Sequence, residues 1–277
     1  MKKNRLLQPF LKWAGGKRQL MPEIKKYIPH KFNTYYEPFL GGGAVLFDLQ
    51  PKNAIINDSS TELINCYKVI KTNINDLIED LEKHKNDEDY YYHTRDLDRK
   101  EDYKNLSNVE KASRIIYLNR TCFNGLFRVN SQGQFNVPFG KYPNPKILNE
   151  SVLKAVSSYL NENNIEILNN DFEEVLKHAK KEDFVYLDPP YDPLSDTSSF
   201  TGYDLNKFGK EEQKRLKKVY DYLNEIGCFV LLSNSSTPYI KDLYKNYSII
   251  TVNAKRNINS VGNSRGKIEE ILVKNYE

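Results

Sequence analysis

With 277 residues and a mass of 32.4 kDa, the chain is long enough to bury a substantial core, as one large domain or one domain carrying an insertion. A net charge of +4 and a pI of about 8.6 permit an anionic partner without demanding one, and no apolar run approaches the ~18 residues of a membrane span. Cys66, Cys122 and Cys228 lie far apart without CxxC or zinc spacing, and the amino terminus lacks a hydrophobic signal region, so a cytoplasmic protein with no structural metal is expected.

Taken in order, the chain opens with Phe10-Leu11-Lys12-Trp13-Ala14-Gly15-Gly16-Lys17. Paired glycines allow close backbone approach to a ligand, and Lys17 offers a point charge to a carboxylate or phosphate. The P-loop spacing is absent. Trp13 is either a core anchor or a ligand contact. Next, Thr34 to Phe39 reads as a strand, Leu40-Gly41-Gly42-Gly43 as a glycine turn and Ala44 to Phe47 as a helix, the opening unit of a nucleotide-binding α/β fold. A second strand, Ala54 to Asn57, ends at Asp58. An acid at that place suits a ribose, and the competing role is an N-cap for the helix from Glu62 to Tyr67.

From about residue 72 to 163 the parallel-strand rhythm stops. Asn73 to Lys85 predicts an amphipathic helix, the highly charged Asn86 to Lys104 a solvated face or loop, and Glu110 to Asn119 another helix. His84 and His93 carry no function in this reading. Residues 111–149 contain Lys111, Arg114, Arg120, Arg128, Lys141 and Lys146 with no Asp or Glu, interleaved with Phe123, Phe127, Phe135, Phe139 and Tyr142. Gly133 centres the segment Phe127 to Val137, as in a hairpin. Cations for phosphates, with amides or arginine for base edges, suit a nucleic-acid groove; the alternative is a basic hairpin packed on the helices.

Beyond it, Ile165 to Leu168 predicts a strand, and Asp171 and Phe172 follow at its carboxyl end, before a helix from Glu173 to Lys181. They suit either an adenine's amino group and ring face or helix capping. The apolar run Phe184-Val185-Tyr186-Leu187 then stops at Asp188-Pro189-Pro190-Tyr191. Neither proline donates a backbone N–H, so the chain leaves the sheet extended, at the end where open α/β sheets bind ligands. An exocyclic amine on a nucleobase is a poor nucleophile because its lone pair is delocalised. The Asp188 carboxylate and the Pro189 carbonyl are two acceptors able to aim that lone pair, and Tyr191 offers a stacking face. Asp192 to Asn206 predicts a lid. Lys210 to Glu225 predicts a long helix and Cys228 to Asn234 a buried strand. Ser248 to Val252 and Ile268 to Val273 predict two more strands, with Lys255, Arg256, Arg265 and Lys267 between them as a second phosphate contact. The alternation predicts a doubly wound, largely parallel sheet, with a hairpin as the alternative for the last pair.

With these pieces placed, the chain resembles the Dam-type, D12 class DNA adenine-N6 methyltransferases of the alpha arrangement, including methylases of restriction systems that act at GATC. The resemblance rests on residues 10–17, on Glu37-Pro38-Phe39-Leu40-Gly41-Gly42-Gly43, on Asn124-Gly125-Leu126-Phe127-Arg128, on Phe135-Asn136-Val137-Pro138-Phe139-Gly140 and on Asp188-Pro189-Pro190-Tyr191. It implies a Rossmann-like catalytic domain, residues 1–71 and 164–277, and a mainly helical target-recognition insertion, residues 72–163. It also implies S-adenosylmethionine as donor, held by Trp13, Lys17, Glu37, Gly41, Gly43, Asp58, Asp171, Phe172 and Asp188, with Lys17 facing the methionine carboxylate. Catalysis falls to Asp188, Pro189 and Tyr191. Contacts to double-stranded DNA fall to Arg120, Asn124, Leu126, Arg128, Pro138, Lys141, Arg256 and Arg265, with Arg128 reading a guanine and the target adenine flipped onto Tyr191. The family's hairpin often carries tyrosine where Phe123 stands here. A monomer or weak dimer is expected. The rivals are methylation of cytosine N4 or RNA, and a catalytically silent DNA-binding homologue.

Overall fold

A computed structural model describes residues 3–13, 15–193, 208–255 and 267–277. In chain order the elements are α1 (Met21–Ile24), β1 (Tyr35–Glu37), α2 (Ala44–Leu49), β2 (Asn53–Asn57), α3 (Thr61–Thr72), α4 (Ile74–Glu82), α5 (Glu88–Arg95) and α6 (Asn108–Thr121). There follow α7 (Glu150–Glu162), β3 (Asn164–Leu168), α8 (Phe172–Leu176), β4 (Phe184–Leu187), α9 (Lys210–Glu225), β5 (Phe229–Ser235), α10 (Pro238–Leu243), β6 (Ser248–Lys255) and β7 (Lys267–Lys274). The α/β class and the mostly parallel arrangement expected from the sequence are what the strands form. The chain divides into two compact units, Met1–Gly16 with Leu40–Lys52 and Asp58–Asn169, and Lys17–Phe39 with Asn53–Asn57 and Asn170–Glu277.

The first unit is mainly helical. Helix α7 buries Val152, Leu153, Val156 and Leu160, a single 3.6-period stripe, whereas α6 is buried almost all round from Ala112 to Asn119 because neighbours pack on several of its faces. Ser107 and Glu110 close a reciprocal capping box at the start of α6.

The charged stretch Asn86 to Lys104 is solvated over most of its length, as expected, but it folds into α5 and 3-10 turns and buries Tyr91 and Thr94. One expectation fails: Arg114 is not a surface cation. It is 2% exposed, pairs with Asp98 at 2.7 Å, and donates to the Thr94 and Arg95 carbonyls. A buried charge is tolerable only when paired and hydrogen-bonded, and Asp98 from the charged stretch supplies that pairing. Asp98 also accepts from the Phe135 amide at 2.8 Å, and so ties the 127–137 segment to the helices.

In the second unit six strands lie in the order β2-β1-β4-β5-β7-β6. The first four are parallel, and β7 joins antiparallel to both β5 and β6, as expected for a closing hairpin. All four residues of β4 are buried, which a central strand covered on both faces requires. Register sets Leu187 beside Leu232, so Asp188 leaves β4 level with Ser233 of β5. The expected lid falls almost entirely outside the described residues, as do Ala14, Arg256 and Arg265.

Among the described residues no helix is long and apolar enough to cross a membrane, and no group of three or more His, Cys, Asp or Glu is placed to hold a metal. All three cysteines are free and buried.

Candidate active site

The strand end at Asp188 gathers several polar side chains of the second unit. Lys17, in a 3-10 turn just past the paired glycines and 6% exposed, sets its Nζ 2.8 Å from Asp188 Oδ1. Ser233 donates its hydroxyl to the same oxygen at 2.9 Å, and the Tyr186 phenol lies 3.0 Å from the Ser233 Oγ. Burial raises the Asp188 carboxyl above the usual carboxylate range, and the Lys17 ammonium opposes that rise. Tyr191 donates to Glu270 at 2.8 Å, which fixes its ring, and the Lys17 Nζ stands 4.6 Å from the ring centre. Burial, then the charges of Asp188 and Glu270, keep its phenol protonated. The Pro190 carbonyl accepts from the buried Gln213 amide at 2.9 Å, and Gln213 is itself held by the buried Asn234 at 3.1 Å.

Elsewhere in this unit, Glu37 is buried at the end of β1 and accepts from Tyr35 at 2.8 Å. Phe172 heads α8, with the Phe39 ring centre 5.3 Å away and the Arg215 guanidinium 4.4 Å from its own centre. Asp171 caps α8 by accepting from the Glu173 amide at 2.9 Å and forms an ion pair with Arg215. Capping, which the sequence left open as one of two roles, is thus what this carboxylate does here.

In the first unit Asp58 fastens the glycine turn. Its Oδ2 accepts from Gly41 N at 2.9 Å and its Oδ1 from Ser60 N at 2.9 Å. The N-cap of α3 is Ser60, whose hydroxyl accepts from the Leu63 amide, so Asp58 is not the cap. Gly41 has φ +51° and a Cβ there would meet Trp13 Cδ1 at 2.8 Å; Gly43 has φ +68° and a Cβ would meet the Tyr67 hydroxyl at 2.7 Å. Both glycines are therefore required by conformation and by space. Trp13 sits between that turn and Phe127, whose ring centre is 4.8 Å away.

Residues 127–137 form the expected turn-back with minimal ladder: Asn136 N donates to the Arg128 carbonyl, Asn130 N to the Gln134 carbonyl, and Val129 bridges Phe135. Arg128 is exposed and doubly held by Asn136, at 2.7 Å to the side chain and 3.1 Å to the backbone. Asn124, exposed at φ 56°, and Leu126 lie on the turn before it, and the exposed Pro138 accepts from the Phe123 amide. Lys141, also exposed, is 3.6 Å from Glu88. Arg120 stands apart from these, turned inward to donate to the Phe10 carbonyl at 2.6 Å.

Ser233, Glu270, Gln213 and Arg215 went unread in the sequence. The one available signal was the Ser233-Asn234-Ser235 run closing a buried strand, where polar residues need partners.

Residues 13–258 match the family described as D12 class N6 adenine-specific DNA methyltransferase. The Type II methyltransferase M1.LlaDCHI of Lactococcus lactis subsp. cremoris is 49% identical over 279 residues, covering 100% of this chain and 98% of that protein. The Type II methyltransferase M.MjaIII of Methanocaldococcus jannaschii is 42% identical over 290 residues, covering 98% and 99%. The DNA adenine methylase of Escherichia coli (strain K12) is 34% identical over 280 residues, covering 98% and 95%. An acid anchored at the end of a central strand, a pinned glycine turn and this span of similarity lead to one conclusion: the chain belongs to the D12 class N6 adenine-specific DNA methyltransferases, and its reaction is methyl transfer to adenine N6 in DNA.

Proposed function

We propose that the donor is S-adenosylmethionine, that the substrate is double-stranded DNA and that the target is the adenine of GATC. The observation that carries the mechanism is the Asp188 carboxylate, half-buried and fixed by Lys17 and Ser233. The residues present fit the donor. Lys17 is a buried cation suited to a carboxylate, Asp58 an acid suited to ribose hydroxyls, and Gly41 and Gly43 keep the turn bare. Trp13 and Phe172 offer ring faces, and Glu37 and Asp171 offer carboxylates. When bound, the donor supplies an electrophilic methyl group on a sulfonium.

The chain's own residues do the rest. Tyr191, its ring steadied through Glu270, stacks on the extruded adenine. Asp188 and the Pro189 carbonyl accept the two N6 hydrogens, turn the lone pair out of the ring and hold it in line, and Asp188 takes the proton that nitrogen sheds. Positioning and fixed charges are the protein's main contributions.

Residues 72–163 serve as the target-recognition insertion, and 1–71 with 164–277 as the catalytic domain. Arg128, pre-aimed by Asn136, reads a guanine edge, and Asn124, Leu126, Pro138 and Lys141 flank it. Arg120 is the weakest of the proposed contacts, because its inward hydrogen bond must break first. Arg256 and Arg265 remain as phosphate contacts. GATC follows from the similarity of residues 124–128 and 135–140 to the Dam-type hairpin.

DNA from cells expressing the protein should resist an endonuclease that N6-methyladenine blocks at GATC. Raised N6-methyladenine in nucleoside mass analysis without that resistance overturns GATC. Asp188→Ala should abolish transfer and spare DNA binding; near-normal turnover would refute the catalytic assignment.

A further inference from the structure

The hydroxyls beneath the acceptor carboxylate form an ordered chain whose direction follows from counting protons. Ser233 is fully buried on β5, level with the end of β4, and its single hydroxyl hydrogen goes to Asp188 Oδ1 at 2.9 Å. The Tyr186–Ser233 contact at 3.0 Å must then be a donation from the phenol to the serine oxygen. Lys17 reaches the same Oδ1 at 2.8 Å. An sp² carboxylate oxygen has two lone pairs, and both on Oδ1 are now committed.

We infer that Ser233 is a positioning residue for Asp188: the Tyr186–Ser233 chain and Lys17 occupy Oδ1 and so assign Oδ2 to the substrate amine. This rests on the reading of Asp188 as the acceptor of N6 hydrogens. A carboxylate free to rotate would offer either oxygen, and the amine's lone pair would then be aimed in more than one direction. With the serine donor in place the torsion is fixed by backbone register rather than by the substrate. The remaining groups with a charge or a titratable proton around Asp188 are Tyr191 just beyond it, Glu270 on β7, which holds Tyr191, and Glu37 on β1, which acts on Tyr186. The serine donor favours the charged carboxylate, as does the Lys17 ammonium, against the burial that disfavours it.

The test uses the full chain. Single-turnover methyl transfer to a duplex containing GATC is followed against pH for wild type, Ser233→Ala, Ser233→Thr and Tyr186→Phe. Separately, the Asp188 carboxyl is titrated by NMR in protein labelled with 13C at the aspartate carboxyls, assigned with Asp188→Asn. Ser233→Ala should lower the plateau rate by about tenfold, the weight of one hydrogen bond to a charged group. Its acid limb and the Asp188 titration should both move to higher pH, because a donor to the ionised form is gone. Ser233→Thr keeps a hydroxyl and should keep both near wild type. Tyr186→Phe, which preserves the ring, should move both in the same direction by less. Affinities for S-adenosylmethionine and DNA should be unchanged.

An unmoved limb and an unmoved Asp188 titration in Ser233→Ala would overturn the inference, as would an equal loss in Ser233→Thr. If Ser233→Ala does not fold, Tyr186→Phe decides by the same two measurements. Full turnover of Asp188→Ala, which leaves no side-chain acceptor, would instead sink the acceptor reading, and the NMR titration, which needs neither donor nor DNA, still judges the serine.

Discussion

Replacing Lys17 by Met removes the buried ammonium 2.8 Å from Asp188 Oδ1 and keeps the stem that fills its place. At that separation and an effective dielectric of about 20, the gross attraction is about 6 kcal/mol. Removing one partner of a buried pair costs about 3–5 kcal/mol. The Asp188 side chain is 19% exposed, so water recovers part of the loss and the lower end, about 3 kcal/mol, is expected.

The penalty depends on pH, with a definite sign. Burial already places the folded carboxyl of Asp188 above its unfolded value, so the folded state binds that proton more tightly. Stability from this group is therefore highest at acid pH and is lost as pH rises through the raised folded value. Taking away Lys17 raises the folded value further and widens that window. Lys17→Met should be less damaging to stability near pH 4 than at pH 8.

Because Lys17 has other neighbours, the assay is a double-mutant cycle with Asp188→Asn, read by urea denaturation at both pH values. A Lys17–Asp188 coupling of about 3 kcal/mol at pH 8 that shrinks at pH 4 is the expected result. A coupling that does not change between the two pH values would refute the reasoning.

Three further outcomes follow from other parts of the chain. Gly41→Ala forces a left-handed φ of +51° on an L-residue and drives its Cβ to 2.8 Å from Trp13, so it should destabilise by about 2 kcal/mol. It should also alter the fluorescence of Trp13, the chain's single tryptophan; a wild-type melting curve and spectrum would contradict this. Arg128→Ala should cost about 1–3 kcal/mol of discrimination at one guanine and less in non-specific binding; uniform weakening across sequences would make Arg128 a phosphate contact.

His84 stacks on Tyr117 at 4.3 Å and bonds to Tyr90 and Ser113, and burial pushes its pKa down to about 4. A histidine depressed in the folded state loses its contribution as pH falls from about 6.5 towards about 4, a loss of about 2 kcal/mol after allowance for partial exposure. Denaturation of His84→Phe at pH 7 and pH 4.5 should lack that part of the pH dependence, and an unchanged slope would count against it.

Much of the fold was legible because it is written in short-range pattern. Phe184 to Leu187 is a continuous apolar run because both faces of β4 are covered, and two prolines end it wherever it lies. The glycine turn could be read from composition, since a left-handed φ beside a tryptophan leaves no alternative residue. The helix Lys210–Glu225 matches its predicted bounds for the same reason: a 3.6-residue stripe is local information.

The sequence by itself therefore determined the order of strands and helices, the acid at the end of β4 and the bare turn after β1. Only the tertiary structure decided which polar groups meet. It turned Arg114 inward onto Asp98, spent Asp171 on Arg215, and gave Asp188 both Lys17 and Ser233. Periodicity says which face of an element leaves water, but a buried charge must find its counter-charge anywhere along the chain. That choice is made by strand register and helix packing, whose long-range geometry no local pattern encodes.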